Sequence, residues 1–328
     1  MAAELKNTIK SYNTDLLLML TAPAAVACYY YGARAVKLML AAVLTSLVLE
    51  VCGGFVLKRR ADLRSMGFAF NGLCVALLLP AGVQYWMVVA GVAFAVIFAK
   101  LPFGNSEKSP FVPAAAGVAF LTICWPDYVF RFSAVGSEYI GGSFSAGTSL
   151  SGMLAHGNSI NNSTVSLMEL FVGEIPGAMG TVCIIALLGS AVYLLIRRPK
   201  KFLSAISFIA VCAVYAAVFP RISAGALLSV TMELCSGSLI FCALFFMTDF
   251  YTSPEKPVAG IVYGAAGGLI TMLLRTFGVY EESAVFAVLL VNAVSPLLSR
   301  SAASKAPETV QAEENVIYNP LAGGEQVE

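Results

Sequence analysis

Successive apolar runs, several of them long enough to cross a bilayer, constrain this chain more than any other feature. A span needs about 20 mainly apolar residues, because the hydrocarbon core is about 30 Å thick and a helix rises about 1.5 Å per residue. Runs of this kind fall at 15–31, 35–57, 67–82, 84–100, 111–125, 176–196, 203–219, 224–248, 257–275 and 282–299. Backbone polar groups inside hydrocarbon must be bonded internally, so the runs predict an all-α, polytopic integral membrane protein with about ten transmembrane helices. The composition agrees: 59% of the 328 residues are hydrophobic and 12% are charged, against about 25% charged in soluble domains. A net charge of +1 gives no basic excess for a nucleic-acid partner, and the bilayer is the expected surroundings. The runs at 67–82, 84–100 and 111–125 are short, and Asn71, Pro80 and Pro113 lie near run ends. Such short or broken helices persist at membrane depth only where protein or a cavity satisfies their backbone. The polar start, MAAELKNTIKSYNTD, is not a cleavable signal, so the first span is expected to stay as an anchor.

Lysine and arginine between the spans orient them, since cytoplasmic loops are enriched in these residues. With the N-terminus inside, the cytoplasmic set has fifteen members: Lys6, Lys10, Lys58, Arg59, Arg60, Arg64, Lys100, Lys108, Arg197, Arg198, Lys200, Lys201, Lys256, Arg300 and Lys305. Only Arg34, Lys37, Arg131, Arg221 and Arg275 fall outside. Both termini are then cytoplasmic, and the long connection at 126–175, rich in Gly, Ser, Thr and Asn, lies on the outer face. A connection of that length is the first place to look for function. The domain plan is a cytoplasmic N-terminus at 1–14, a five-helix repeat at 15–125, the outer loop, a second five-helix repeat at 176–299 and a flexible polar tail at 300–328. Because five is odd, the second repeat enters the membrane from the opposite side, giving two inverted repeats. FNGLCVALLLP at 70–80 and SGSLIFCALFF at 236–246, each the third span of its half, carry a weak internal similarity.

Few residues can carry chemistry. Charges within spans cost about 2.5–3.5 kcal/mol on insertion scales and so face protein or water. Glu233 is the acidic residue deepest in a predicted span, and it reads either as an ion or proton relay or as a carboxyl packed beside a helix break near Gly237. Glu50 is expected to anchor its span beside Lys58, Arg59 and Arg60, and Asp249 to sit in a boundary turn with Pro254. Asn71 and Asn292 lie in apolar spans of the two halves, where amides bond across helices or to a cofactor. The stretch from Gly173 through Gly177 to Gly180 is expected to open the sixth span. Its amides would either receive an anion at a helix N-terminus or, as a proline-started helix, allow close packing. The outer loop carries a Ser/Thr run at 143–151 followed by His156, the single histidine, with no acidic residue nearby to orient it. Eight cysteines, none in a CxxC spacing, read as buried membrane thiols, with no metal or iron–sulfur ligand set implied.

Several of these stretches occur in an order that resembles a known family. They are LFVGEIPGAMG at 170–180, LFFMTDFYTSP at 244–254 and VFAVLLVNAVSP at 285–296, with FNGLCVALLLP at 70–80 and PFVPAAAGVAF at 110–120 in the first half. The chain resembles, over about 15–300, the D subunit of the Rnf electron-transport complex and the B subunit of the sodium-pumping NADH:quinone reductase. The resemblance implies ten helices in two inverted repeats and an FMN esterified through its phosphate to an outer-loop threonine. Thr148 falls on that position. The family's Ser/Thr-Gly-Ala-Thr reads Ser145-Ala146-Gly147-Thr148 here, its upstream aspartate is Gly142, and its following proline is Ser149. The family's Gly-Glu-Thr-Ser after Ile-Pro-Gly reads Gly180-Thr181-Val182-Cys183. With Asn71, Gly177 and Asn292 as further cofactor contacts, the implied function is electron transfer through FMN coupled to Na+ or H+ movement. The implied setting is a ferredoxin:NAD oxidoreductase complex in the bacterial cytoplasmic membrane. Other Rnf-like subunits and a flavin transferase are the implied partners, and the chain would be an electron-transfer subunit rather than a stand-alone enzyme. Two alternatives stay open: a flavin-less channel or transporter moving a small solute past Glu233, and a subunit that only packs a complex together.

Overall fold

The computed structural model describes residues 2–58, 66–103, 109–135, 147, 149–155, 167–221, 226–254, 256–278 and 282–303. Helices dominate, and among the described residues no β-strand occurs. The chain begins with α1 (Ala2–Val56), whose apolar part, Lys10–Val56, runs for 47 residues. At 1.5 Å per residue that is about 70 Å, more than twice the hydrocarbon thickness, so it cannot be one straight span. Gly32 breaks it, with φ 56° and ψ −143°, a conformation that glycine adopts because it has no Cβ. Asn13, before the break, lines a cavity with Ser109, and Glu50, after it, bonds Lys100. Ser109 and Lys100 are themselves neighbours, the Ser109 hydroxyl donating to the Ala99 carbonyl at 2.7 Å. The two arms of α1 therefore start and finish at one end of the molecule, as the separate runs at 15–31 and 35–57 predict.

The next helices are α2 (Gly67–Leu77), α3 (Tyr85–Ala99), α4 (Pro113–Cys124) and the short α5 (Pro126–Val129). The connection between α5 and α8 contributes α6 (Leu150–Ala155) and α7 (Leu167–Val172). They are followed by α8 (Ile184–Arg197), α9 (Pro199–Val218), α10 (Ala226–Cys235) and α11 (Leu239–Phe241), which runs into a π-helical turn at Cys242–Phe246. The last two are α12 (Pro257–Phe277) and α13 (Ala284–Ala303). Among the described residues four helices are long and apolar enough to cross a membrane: Lys10–Val56, Tyr85–Phe103, Pro199–Val218 and Pro257–Phe277. A fifth candidate is the bent pair Leu227–Cys235 and Leu239–Phe246, inclined at 69°. The chain is thus a multi-pass membrane protein with short apolar helices between its long ones.

Close backbone approach holds the long helices together. A Cβ on Gly264 would overlap the Ser204 carbonyl, and one on Gly268 would lie 2.5 Å from the Phe208 carbonyl, so α9 and α12 meet backbone to backbone. Small residues permit this, and dispersion between tightly packed helices replaces the hydrophobic drive that lipid does not supply. At one end of the bundle Asp15 receives Arg198 Nη2 at 3.0 Å and Arg197 Nη2 at 3.3 Å, which ties the first arm of α1 to the α8–α9 junction. At the other end Arg34 donates to the Val83 carbonyl at 2.8 Å and covers the Tyr85 ring at 4.2 Å.

One predicted boundary is corrected. The run at 176–196 does not become a helix until Ile184, and 173–183 is irregular. The reason is where its amides go: Met179 N donates to the Leu79 carbonyl at 3.1 Å and Gly180 N to the Leu77 carbonyl at 2.7 Å. The stretch therefore finishes the short helix α2, whose terminal carbonyls need partners at this depth. The Met179 and Gly180 amides are spent on α2 rather than held out to an anion. The thiols also divide: Cys74, Cys183, Cys212 and Cys242 are buried, whereas Cys52 and Cys124 lie on exposed faces.

Candidate functional site

A cleft beside α6 is lined by Ser149, Ser151, Ile175, Gly177, Thr181, Cys235, Gly237 and Glu282, among others. Its walls come from the α6 start, the irregular 173–183 stretch and the break between α10 and α11. Thr148 lies outside the described residues, as does His156, but the two neighbours of Thr148 are anchored. Gly147 N donates to the Phe132 carbonyl at 3.0 Å, and a Cβ on Gly147 would run into Pro176 Cγ. On the other side the Ser149 hydroxyl accepts from Gly152 N at 3.1 Å, an N-cap of α6. The loop that carries Thr148 is thus pinned to the same cleft as Gly177.

The remaining expected contacts lie elsewhere. Asn71 lines a second cavity with Asn13, Phe70, Ser109, Asp249 and Tyr251. Leu77, the residue to which Gly180 is bonded, lies about 9 Å further along α2 at helical rise, so Asn71 and Gly177 serve different cavities. Asn292 is fully buried and accepts the Tyr263 hydroxyl, while its Nδ2 has no partner. In the turn after the π-helix, Asp249 Oδ2 accepts Tyr251 N at 3.1 Å, Thr252 N at 3.2 Å and the Thr252 hydroxyl at 3.3 Å. Burial pushes its carboxyl above the usual carboxylate range, against the pull of those donors and of Lys201.

Glu233 belongs to a clamp. Its Oε1 receives Arg221 Nε at 2.6 Å, and its Oε2 receives Arg221 Nη2 at 2.9 Å and Arg275 Nη1 at 3.2 Å. Arg275 also donates to the Glu233 carbonyl and the Ser236 hydroxyl at 2.8 Å each, and to the Ser236 carbonyl at 2.7 Å. Those carbonyls end α10, so a buried cation sits where the helix dipole favours one. Across the break, Glu282 accepts Ser238 N at 2.7 Å, the amide that opens α11. Gly237, at φ 62°, makes the turn between them. A break near Gly237 with a packed carboxyl is legible in sequence; Arg221, Arg275 and Glu282 as its partners are not. Their one signal is charge placed at the edges of apolar runs. Among the described residues the partner of Glu50 is Lys100, at the end of α3; Arg59 and Arg60 of the expected cluster lie outside them.

A model of the NQR2, RnfD, RnfE family matches residues 3–306. The chain belongs to that family. It is 27% identical over 299 residues to the D subunit of the Na(+)-translocating ferredoxin:NAD(+) oxidoreductase complex of Acetobacterium woodii, covering 90% of this chain and 89% of that one. It is 28% identical over 321 residues to the D subunit of the ion-translocating oxidoreductase complex of Escherichia coli, covering 86% and 90% respectively. The counterpart of the same name from Klebsiella pneumoniae is also 28% identical, over 319 residues, covering 86% of this chain and 90% of that one. In this family member, then, the cleft meets the loop whose threonine the sequence resemblance singles out, and the helix break forms part of its wall.

Proposed function

We propose that this chain is the membrane redox subunit of an Rnf-like ion-translocating ferredoxin:NAD oxidoreductase complex, carrying electrons through FMN and coupling them to Na+ or H+ movement. The observation that carries the reading is full-length similarity to the D subunits of such complexes, joined to a cleft at the anchored loop around Thr148. The cleft suits a flavin in the chemistry of its lining. The hydroxyls of Ser149, Ser151 and Thr181 and the bare backbone of Gly177 offer polar contacts without bulk. Glu282 in the wall disfavours a phosphate inside the cleft and favours one at the loop, where Thr148 would hold it as an ester. FMN supplies acceptance of electrons singly or in pairs, and the protein supplies position and a dry environment.

Packing supports the inverted-repeat plan with ten spans. The second arm of α1 packs on α2 and α3 as α9 packs on α10 and α12, and α3 packs on α4 as α12 packs on α13. With the basic residues assigned to the cytoplasm, the Asp15 and Asp249 end faces inward and the Glu282 end outward, in the bacterial cytoplasmic membrane. The transporter alternative draws on Glu233, and both oxygens of that carboxylate are held by arginines. In-gel flavin fluorescence after denaturation tests the attachment, comparing wild type with Thr148→Ala in a host expressing the flavin transferase. Fluorescence lost in the variant is expected; a dark wild-type band would sink the covalent claim, and flavin-free protein moving solute in liposomes would favour the transporter.

A further inference from the structure

The junction of α8 and α9 gathers four cations within five residues: Arg197, Arg198, Lys200 and Lys201. Arg198 alone links the helices, since α8 ends at Arg197 and α9 starts at Pro199. Among the described residues one carboxylate, Asp15, pairs with the cluster. Two of the four cations are occupied inside the fold. Arg198 donates to Asp15 Oδ2 from Nε at 3.2 Å and from Nη2 at 3.0 Å, and to the Ser11 hydroxyl at 3.3 Å. Lys201 donates to the Ser253 carbonyl at 2.8 Å and to its hydroxyl at 2.6 Å.

The other two face outward. Arg197 gives Asp15 only Nη2, at 3.3 Å, and its side chain is 54% exposed. Lys200 is exposed and forms no ion pair or hydrogen bond among the described residues. One carboxylate against four cations leaves an excess of positive charge at this end of the bundle, carried by the two side chains with donors to offer.

Apolar surface adjoins that charge. On α8 the exposed residues Ile185, Leu188, Val192 and Ile196 recur every three or four positions, and on α9 Ile206, Val214 and Val218 do the same. Packing leaves these stripes uncovered, because α8 turns its other face to the first arm of α1, where Ser190 bonds the Met19 carbonyl at 2.8 Å, and α9 packs on α12. Ile196 is 74% exposed and directly precedes Arg197. A ligand that answers both surfaces has an anionic head and a hydrocarbon chain. A zwitterionic lipid brings a cation of its own to a place already in positive excess.

We propose that the α8–α9 junction is a binding site for an anionic phospholipid. Its phosphodiester pairs with Arg197 and Lys200, and an acyl chain lies along Val192 and Ile196. The guanidinium offers a planar fork of donors to phosphate oxygens, with the ammonium as a second point charge. Asp15 holds Arg197 by one nitrogen and leaves the rest of the fork free for the headgroup. The site stands or falls separately from flavin attachment, since it shares no residue with the cleft.

Native mass spectrometry of the full-length chain in a non-ionic detergent tests the site. The chain is titrated with phosphatidylglycerol, with phosphatidylcholine of the same acyl chains, and with glycerol phosphate. Phosphatidylglycerol is expected to bind tightest. Arg197→Gln combined with Lys200→Gln should weaken it about thirtyfold, the attraction of two basic residues for an anionic headgroup. Lys37→Gln, which removes an exposed cation from the second arm of α1, should leave its affinity unchanged. The double variant keeps the Arg198–Asp15 pair, and a wild-type unfolding midpoint without added lipid reports that it is folded. If it does not accumulate, Lys200→Gln alone is expected to weaken binding about fivefold. Wild-type phosphatidylglycerol affinity in the variants overturns the site. Equal affinity for phosphatidylcholine overturns its charge selectivity, and glycerol phosphate binding as tightly as the lipid overturns the role of the acyl chain.

Discussion

Arg275 Nη1 donates to the Glu233 carboxylate at 3.2 Å and to the Glu233 backbone carbonyl at 2.8 Å, so one guanidinium closes both the side chain and the helix end of the same residue. With Arg221 on the other face, both carboxylate oxygens are held by guanidinium groups, an arrangement that predicts a structural role at the broken span. Glu233→Ala is expected to destabilise the protein by about 3–5 kcal/mol, the penalty for leaving buried charge without its partner. Thermal unfolding in detergent checks this; a variant with wild-type Tm that has lost only ion movement would restore Glu233 as a relay.

Lys100 and Glu50 form the second buried ion pair, joining α1 to the end of α3, and Glu50 Oε2 has no further partner. Each single neutralisation, Lys100→Met or Glu50→Gln, is expected to destabilise more than the double variant does. The coupling in a double-mutant cycle should reach about 1–3 kcal/mol. Additive effects in chemical denaturation would show that the pair does not couple these helices.

Gly268 and Gly189 are both helical glycines with opposite surroundings. A Cβ on Gly268 meets the Phe208 carbonyl at 2.5 Å, whereas one on Gly189 meets nothing within 4 Å. Gly268→Ala should lower stability by about 1–3 kcal/mol by prising α9 from α12. Gly189→Ala should be neutral or gain up to about 1 kcal/mol from helix propensity. The two unfolding midpoints, measured side by side, decide whether close backbone contact is what the α9–α12 interface depends on.

Gly180 is where the 173–183 stretch meets α2: its Cβ would lie 2.6 Å from Leu77 Cβ. Gly180→Ala is expected to push the 173–183 stretch off the α2 carbonyls and distort the cleft wall at Gly177 and Thr181. Reduced flavin per protein after denaturing electrophoresis, with Thr148 intact, is the predicted readout. Unchanged flavin content would separate the cleft from the attachment loop.

Asp249 organises the turn after the π-helix with one carboxylate oxygen and two backbone amides. Because burial already works against its charge, Asp249→Asn, which keeps an acceptor and loses the charge, should change stability by less than about 1 kcal/mol. Asp249→Ala should cost about 1–2 kcal/mol, since it leaves buried amides unpaired. Equal losses for both variants would assign the contribution to charge instead.

The chain's own order determined that it is an all-helical membrane protein and where most of its helices lie. It also marked the break near Gly237 and the turn at Asp249. These are properties of contiguous residues: apolar length against bilayer thickness, glycine and proline at helix ends, charge beside apolar runs. Tertiary structure alone decided that Arg275 answers Glu233 across 42 positions and Lys100 answers Glu50 across 50. It also decided that α8 starts at Ile184, because the preceding amides complete α2, and that Gly177 shares a cleft with the neighbours of Thr148 while Asn71 does not. Buried polar groups must find partners wherever packing brings them, and in a bundle of antiparallel helices those partners are far away in sequence.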